Sequence, residues 1–241
     1  MSRPSLSVQL YSVRDQLAAG PTSTAARLHA IGFRCVEPYG LTEFIDVIEP
    51  ALASAGLTAP TSHASLLDGN HEAAFAAAHR ARVSTIIEPF VPEEQWATRE
   101  RIEALAARLT SIADAAADQG LTVGYHNHWW EFGDLDGTTA LEAFADNLDP
   151  AVVLEVDTYW AQVGGVSAVS LLERLGDRVR FIHVKDGDIS RDDKAQVAVG
   201  SGRMPVAELL SAAPQAMRVI ELDDFGGDVF DALADSITFL R

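Results

Sequence analysis

The chain has 241 residues, 48% hydrophobic and 22% charged, which suits one large or two small soluble domains with ample core. Its formal charge of −17, from 35 acidic against 18 basic residues, repels phosphate backbones and anionic membranes, so nucleic acid and membrane surfaces are excluded as expected partners. The single cysteine, Cys35, rules out an internal disulfide and a thiol-rich zinc site, and it reads as a core residue.

Along the chain, the N-terminal "MSRPSLSVQLYSVRD" lacks a basic region followed by an apolar stretch, so no signal peptide is expected. No apolar run approaches the roughly 18 residues of a membrane span. A cytoplasmic setting is the expectation. Eight short runs then read as buried strands: "SLSVQLYSV", "GFRCVE", "GLTAPTSH", "STIIEPF", "GLTVGYH", "AVVLEVD", "RVRFIHV" and "AMRVIEL". Helical segments separate them. "PTSTAARLHAIG" has Pro21 near its start and Gly32 at its end. Thr98 to Gly120 carries Ile102, Leu105, Leu109, Ile112 and Ala116 at helical spacing. "VSAVSLLERLGD" closes with Gly176. The runs are near-continuously apolar, as in a parallel sheet covered on both faces. Eight strand–helix units of about 30 residues predict one domain over residues 1–241, a single (β/α)8 TIM barrel. A doubly wound open sheet is less favoured, because no Gly-rich dinucleotide fingerprint follows the first run.

In such a barrel the C-terminal ends of the strands converge on one mouth. The last four runs end in "YHNHWWEF", "LEVDTYW", "FIHVKDGD" and "VIELDDF". They deliver His126, His128 and Glu131, then Asp157, His183 and Glu221. Carboxylates and imidazole together suit one divalent ion, Mn, Co, Mg or Zn. Carboxylates buried side by side would otherwise repel one another. Each residue also has a plain structural reading: Asp157 as a turn cap, His183 as a satisfied core histidine, Glu221 as a solvent-facing strand end.

The segments "VQLYSVRD", "YHNHWWEF", "LEVDTYWAQVGG", "FIHVKDGD" and "VGSGRMPVAELL" together resemble the sugar phosphate isomerase/epimerase family of xylose-isomerase-like barrels. The resemblance runs through essentially the whole chain. It implies one divalent ion held by Asp157, His183, Glu221 and a ligand after the fifth run. Glu131 is favoured for that place, with His126 as the competitor. Glu131 lies five residues beyond His126, up to about 17 Å in extended chain, and on the opposite strand face. Where the family's epimerases carry a histidine, three residues after the aspartate, this chain has Trp160.

The resemblance further implies an isomerase or epimerase, or a dehydratase or lyase, acting on a small sugar, keto-sugar or inositol-like substrate. A metal-stabilised enediolate would form while Glu131 and Glu221 exchange the proton. His126, His128, Lys185, Trp160, His63 and Arg203 are the candidate substrate contacts, with Glu88 on the same wall as His63. Two other readings stand beside this one. One is a non-catalytic sugar-binding barrel or partner subunit, in a homo- or hetero-oligomer. The other is a metal-dependent endonuclease, which the acidity disfavours.

Overall fold

Seven of the eight predicted runs form strands, and every pairing among them is parallel. In the computed structural model, which describes residues 6–68 and 70–241, these are β1 (Leu6–Val8), β2 (Thr61–His63), β3 (Thr85–Glu88), β4 (Thr122–His126), β5 (Val153–Asp157), β6 (Val179–Val184) and β7 (Met217–Ile220). Ser5, the first residue of the first run, lies outside the described residues. The strands make one curled sheet in the order β1-β7-β6-β5-β4-β3-β2. Short antiparallel ladders at 134–139 and 186–197 lie outside it.

The second run, "GFRCVE", departs from expectation. It forms no strand and makes only two isolated parallel bridges, Gln9 with Glu37 and Cys35 with Thr58. Even so, it is tied to both edges of the sheet. Glu37 N donates to Val8 O at 2.8 Å on the β1 side, and Val36 N donates to Thr58 O at 2.9 Å on the side leading to β2. Pro38 and Pro60 bracket this seam and carry no N–H, which shortens the ladders there. Cys35, expected in the core, is only partly buried beside Thr58.

The helices pack outside the sheet: α1 (Arg14–Ala19), α2 (Pro21–Ile31), α3 (Leu41–Ala55), α4 (His71–Ala81), α5 (Arg99–Ala117), α6 (Ala140–Asn147), α7 (Thr158–Val163), α8 (Ala168–Leu175), α9 (Val206–Ala212) and α10 (Val229–Leu240). The predicted periodic stripe of α5 is its buried face, and the Thr98 side chain caps its start by accepting from Arg101 N. Pro21 opens α2, and Gly32 ends it at φ +124°, a conformation that side-chain-bearing residues rarely adopt. Outward strand residues such as Val123, Tyr125, Leu154, Val156 and Ile182 are buried beneath this helical layer. No helix among the described residues is long and apolar enough to cross a membrane.

Candidate metal centre and active site

Strand register explains why the polar side chains meet. Alternate residues of a strand share a face, and residues paired across a ladder project the same way. Asp157 pairs with His183 and His183 with Val219, so Asp157, His183 and Glu221 lie on one face. His126 pairs with Glu155, two residues before Asp157, and joins that face. His63 pairs with Ile87, and Ile87 with Gly124, which brings His63 to it as well. The opposite face supplies the apolar layer under the helices.

The assembled groups form two tiers. In the outer tier His183 Nδ1 lies 2.7 Å from Glu221 Oε2. Lys185 Nζ lies 2.9 Å from Asp157 Oδ2, 2.8 Å from Glu221 Oε2 and 2.7 Å from Asp223 Oδ2. His126 Nε2 is 4.0 Å from Asp157 Oδ2. In the inner tier Glu155 Oε2 lies 2.7 Å from His63 Nε2, 3.2 Å from His183 Nε2 and 3.3 Å from His126 Nδ1. Glu37 Oε1 lies 2.9 Å from His183 Nε2 and accepts from Gln9 Nε2 at 2.9 Å. Two sets of four have ligand atoms that all lie within 4.8 Å of one another: His126, Asp157, His183 and Glu221, and beneath them His63, His126, Glu155 and His183.

Charge in this buried space is ordered by neighbours. Burial alone would lower the His183 pKa, but Glu155 and Glu221 outweigh it and hold the imidazole well above its ordinary range. Lys185 behaves alike: burial is overcome by Asp157, Asp223 and Glu221, and the ammonium stays charged. Burial would raise Glu221, yet Lys185 and His183 hold it well below the usual carboxylate range. Glu155 is likewise held ionised against burial by His183 and His63. Glu37, buried and facing that charge, is the carboxyl pushed up. His126 goes the other way: burial and the charge of His183 keep it neutral, the form that binds metal.

The outer set fits a divalent ion. Two imidazoles and two carboxylates match a metal of intermediate softness. Asp157 Oδ2 is buried without a hydrogen bond of proper geometry, although the Lys185 ammonium is near it. Asp157 Oδ1 accepts from Trp160 N at 2.8 Å, so the same side chain that faces the cluster also caps α7. With its Nδ1 turned to Glu221, His183 presents Nε2 to the inner-tier carboxylates of Glu37 and Glu155, as supporting carboxylates fix ring orientation in metal sites.

The structure brings Asp157, His183, Glu221 and His126 together and leaves Glu131 apart. Tyr125, its neighbour on the opposite strand face, packs against Trp96 and Phe144 in the helical layer. The Tyr125 hydroxyl donates to Glu131 Oε1 at 2.9 Å, and His128 N donates to Oε2 at 3.0 Å. Glu131 is therefore tethered behind the strand, fully buried, and belongs to neither four-residue set. His126, not Glu131, is the residue grouped with Asp157, His183 and Glu221.

A cavity of about 590 Å³ opens over the outer tier, and His63, His126, His128, Trp160 and Glu221 line it. Lys185 is buried beneath, 1% exposed. Arg203 is exposed and does not line the cavity. Its loop is anchored elsewhere, by the Asp186 carboxylate accepting from the amides of Gly200, Gly202 and Met204. Glu88 points away too, accepting from Leu66 N and Leu67 N. Sequence reasoning missed Glu155, Glu37 and Gln9. The signal for Glu155 was present, since Glu155 and Asp157 share strand parity in an otherwise apolar "LEVD".

The family model described as xylose isomerase-like TIM barrel matches residues 25–217. No curated protein matches the chain. Among solved structures, a sugar phosphate isomerase/epimerase from Parabacteroides distasonis is similar at TM-score 0.83 and 21% identity, covering 100% of this chain and 94% of its own. The probable 3-DHS dehydratase AsbF of petrobactin synthesis from Bacillus anthracis has TM-score 0.74 at 14% identity, covering 98% of each chain. A xylose isomerase-like TIM barrel protein from Mycobacterium smegmatis, solved in complex with magnesium, has TM-score 0.69 at 15% identity, covering 99% of this chain and 95% of its own. At these identities the likeness is one of fold.

Proposed function

The chain belongs to the xylose isomerase-like TIM barrel family, and on that premise we propose that it is a divalent-metal-dependent isomerase or epimerase acting on a small sugar, keto-sugar or inositol-like substrate. Loss of a β-substituent in place of proton return would make the same site a dehydratase or lyase. The supporting observation is the convergence of His126, Asp157, His183 and Glu221 under an open cavity. In this reading residues 33–37, tied to both sheet edges, are the eighth stave of a closed barrel.

When bound, a divalent ion supplies Lewis-acid polarisation of a substrate carbonyl, which acidifies the neighbouring C–H. Glu221 is the base, since its carboxylate is ionised and lines the cavity. Lys185 and His183 hold that carboxylate in place from below. His128 is the second proton carrier. Its ring lines the cavity, its buried Nδ1 has no hydrogen bond, and Glu131 Oε1 stands 3.7 Å behind it. Glu131 thus keeps a part in proton exchange, through His128. Proton return to the opposite face gives epimerisation, and return to the adjacent carbon gives isomerisation.

Solvent deuterium exchange into keto-sugars tests this directly. With Mn²⁺ present the wild type is expected to label one carbon, and Glu221→Gln to slow labelling by about 10²- to 10⁴-fold. Wild-type protein that exchanges no carbon-bound proton in any keto-sugar tried would overturn the proposal.

A further inference from the structure

The cavity is chemically divided. Its floor is the imidazole and carboxylate cluster, whereas its rim is aromatic. On one side Phe90 packs edge-on to Trp130 and His128, at 5.5 and 5.6 Å between centroids, and His128 stacks on Trp130 at 4.4 Å with 6° between planes. Phe90 nevertheless remains 53% exposed. The other side follows β1, which is separated from β4 in the sheet by β7, β6 and β5. There Tyr11, 39% exposed, meets Tyr39 edge-to-face at 5.3 Å. Both aromatic groups line the same cavity as Glu221.

The charges of the rim also select. Asp193, Asp223 and Asp224 join Glu221 in the lining, against two arginines. Both arginines are engaged. Arg14 Nη1 donates to Asp223 O at 2.7 Å and to Tyr11 O at 3.0 Å, with the guanidinium 4.3 Å above the Tyr11 ring. Arg191 stacks on Trp129 at 3.3 Å. A phosphate at this mouth would face more carboxylate than cation, on a chain of net charge −17. An uncharged flat group would instead find ring faces to stack on. The 590 Å³ volume falls within the range of about 300–1,000 Å³ typical of drug-sized ligands, larger than a lone sugar ring requires.

Resting on the sugar-site reading above, we propose that the aromatic rim is a second subsite for a flat, uncharged ring attached to the reacting sugar, so that the substrate class is an unphosphorylated glycoside whose sugar ring carries the ketone the site acts on. Three probes share one sugar and differ only at the anomeric substituent: methyl α-D-glucopyranoside, 4-nitrophenyl α-D-glucopyranoside and α-D-glucose 1-phosphate. Calorimetric titration of the Mn²⁺-loaded protein is expected to show the nitrophenyl glycoside binding about tenfold tighter than the methyl glycoside, and the phosphate weakest. Phe90→Ala and Tyr11→Ala, both at exposed positions, should shrink that ratio. Equal binding of all three, strongest binding of the phosphate, or an aryl preference that survives both substitutions would overturn the subsite while leaving the sugar site standing. Binding of none of the three would overturn the subsite, while the sugar-site reading, which needs a carbonyl these probes lack, is judged by deuterium exchange into keto-sugars.

Discussion

Glu155 lies at the centre of the inner tier, where its carboxylate meets His63, His126 and His183. Its pKa is held well below the ordinary 4.5, because His183 and His63 outweigh burial. A depressed carboxylate contributes stability that is complete above the ordinary pKa and lost as pH falls through the folded value. Metal-free wild type should therefore lose Tm steeply below about pH 4.5. Glu155→Gln should be less stable at neutral pH by about 3–5 kcal/mol, with a shallower acid limb. Equal acid slopes would contradict the assignment. A second residue-scale test separates the two candidates after β4. His126→Ala should lose bound metal, whereas Glu131→Gln should keep it and lose about 1–3 kcal/mol from the Tyr125 and His128 hydrogen bonds, as read by metal content and urea unfolding. Asp157, His183 and Glu221 were legible because each ends an apolar run. Glu155 carried a signal in the parity it shares with Asp157, but Glu37 did not, because a single acid inside an apolar run looks the same whether it faces the interior or the helices until register is known.

At the scale of elements, α7 begins on the same side chain that faces the histidine and carboxylate cluster. Asp157→Asn keeps an acceptor for Trp160 N, whereas Asp157→Ala removes it. The alanine variant of the metal-free protein should be about 0.5–2 kcal/mol less stable than the asparagine variant, and equal urea midpoints would contradict the capping role. Gly124 lies in β4 where its neighbours press in. A Cβ there would meet Ile87 Cδ1 at 2.5 Å and the Val153 carbonyl oxygen at 3.1 Å. Gly124→Ala should cost about 1–3 kcal/mol, measured the same way. Helices with caps and a periodic face, α2, α5 and α8, could be read from sequence almost to their ends. The second run could not, since its apolar content argued for a strand while Pro38 and Pro60 limited the ladder to two bridges. Arg203 lies outside the cavity lining, and the amides of Gly200 and Gly202 in its loop donate to the buried Asp186 instead.

Across the whole molecule, one parallel sheet gathers histidines and carboxylates from strands far apart in sequence and covers them with an acidic, aromatic-rimmed mouth. Repetition along the chain made this architecture legible. The inner tier was hidden because it depends on which strands lie side by side. A bound ion would also stabilise the whole fold, since a ligand that binds only the native state raises its stability by mass action. Elemental analysis of the purified protein, beside Asp157→Asn and His183→Ala, is the most direct test of the central claim. The prediction is about one divalent ion per chain in the wild type and none in either variant. A wild type that holds no ion after reconstitution with Mn²⁺, Co²⁺ or Zn²⁺, or variants that retain it in full, would contradict it.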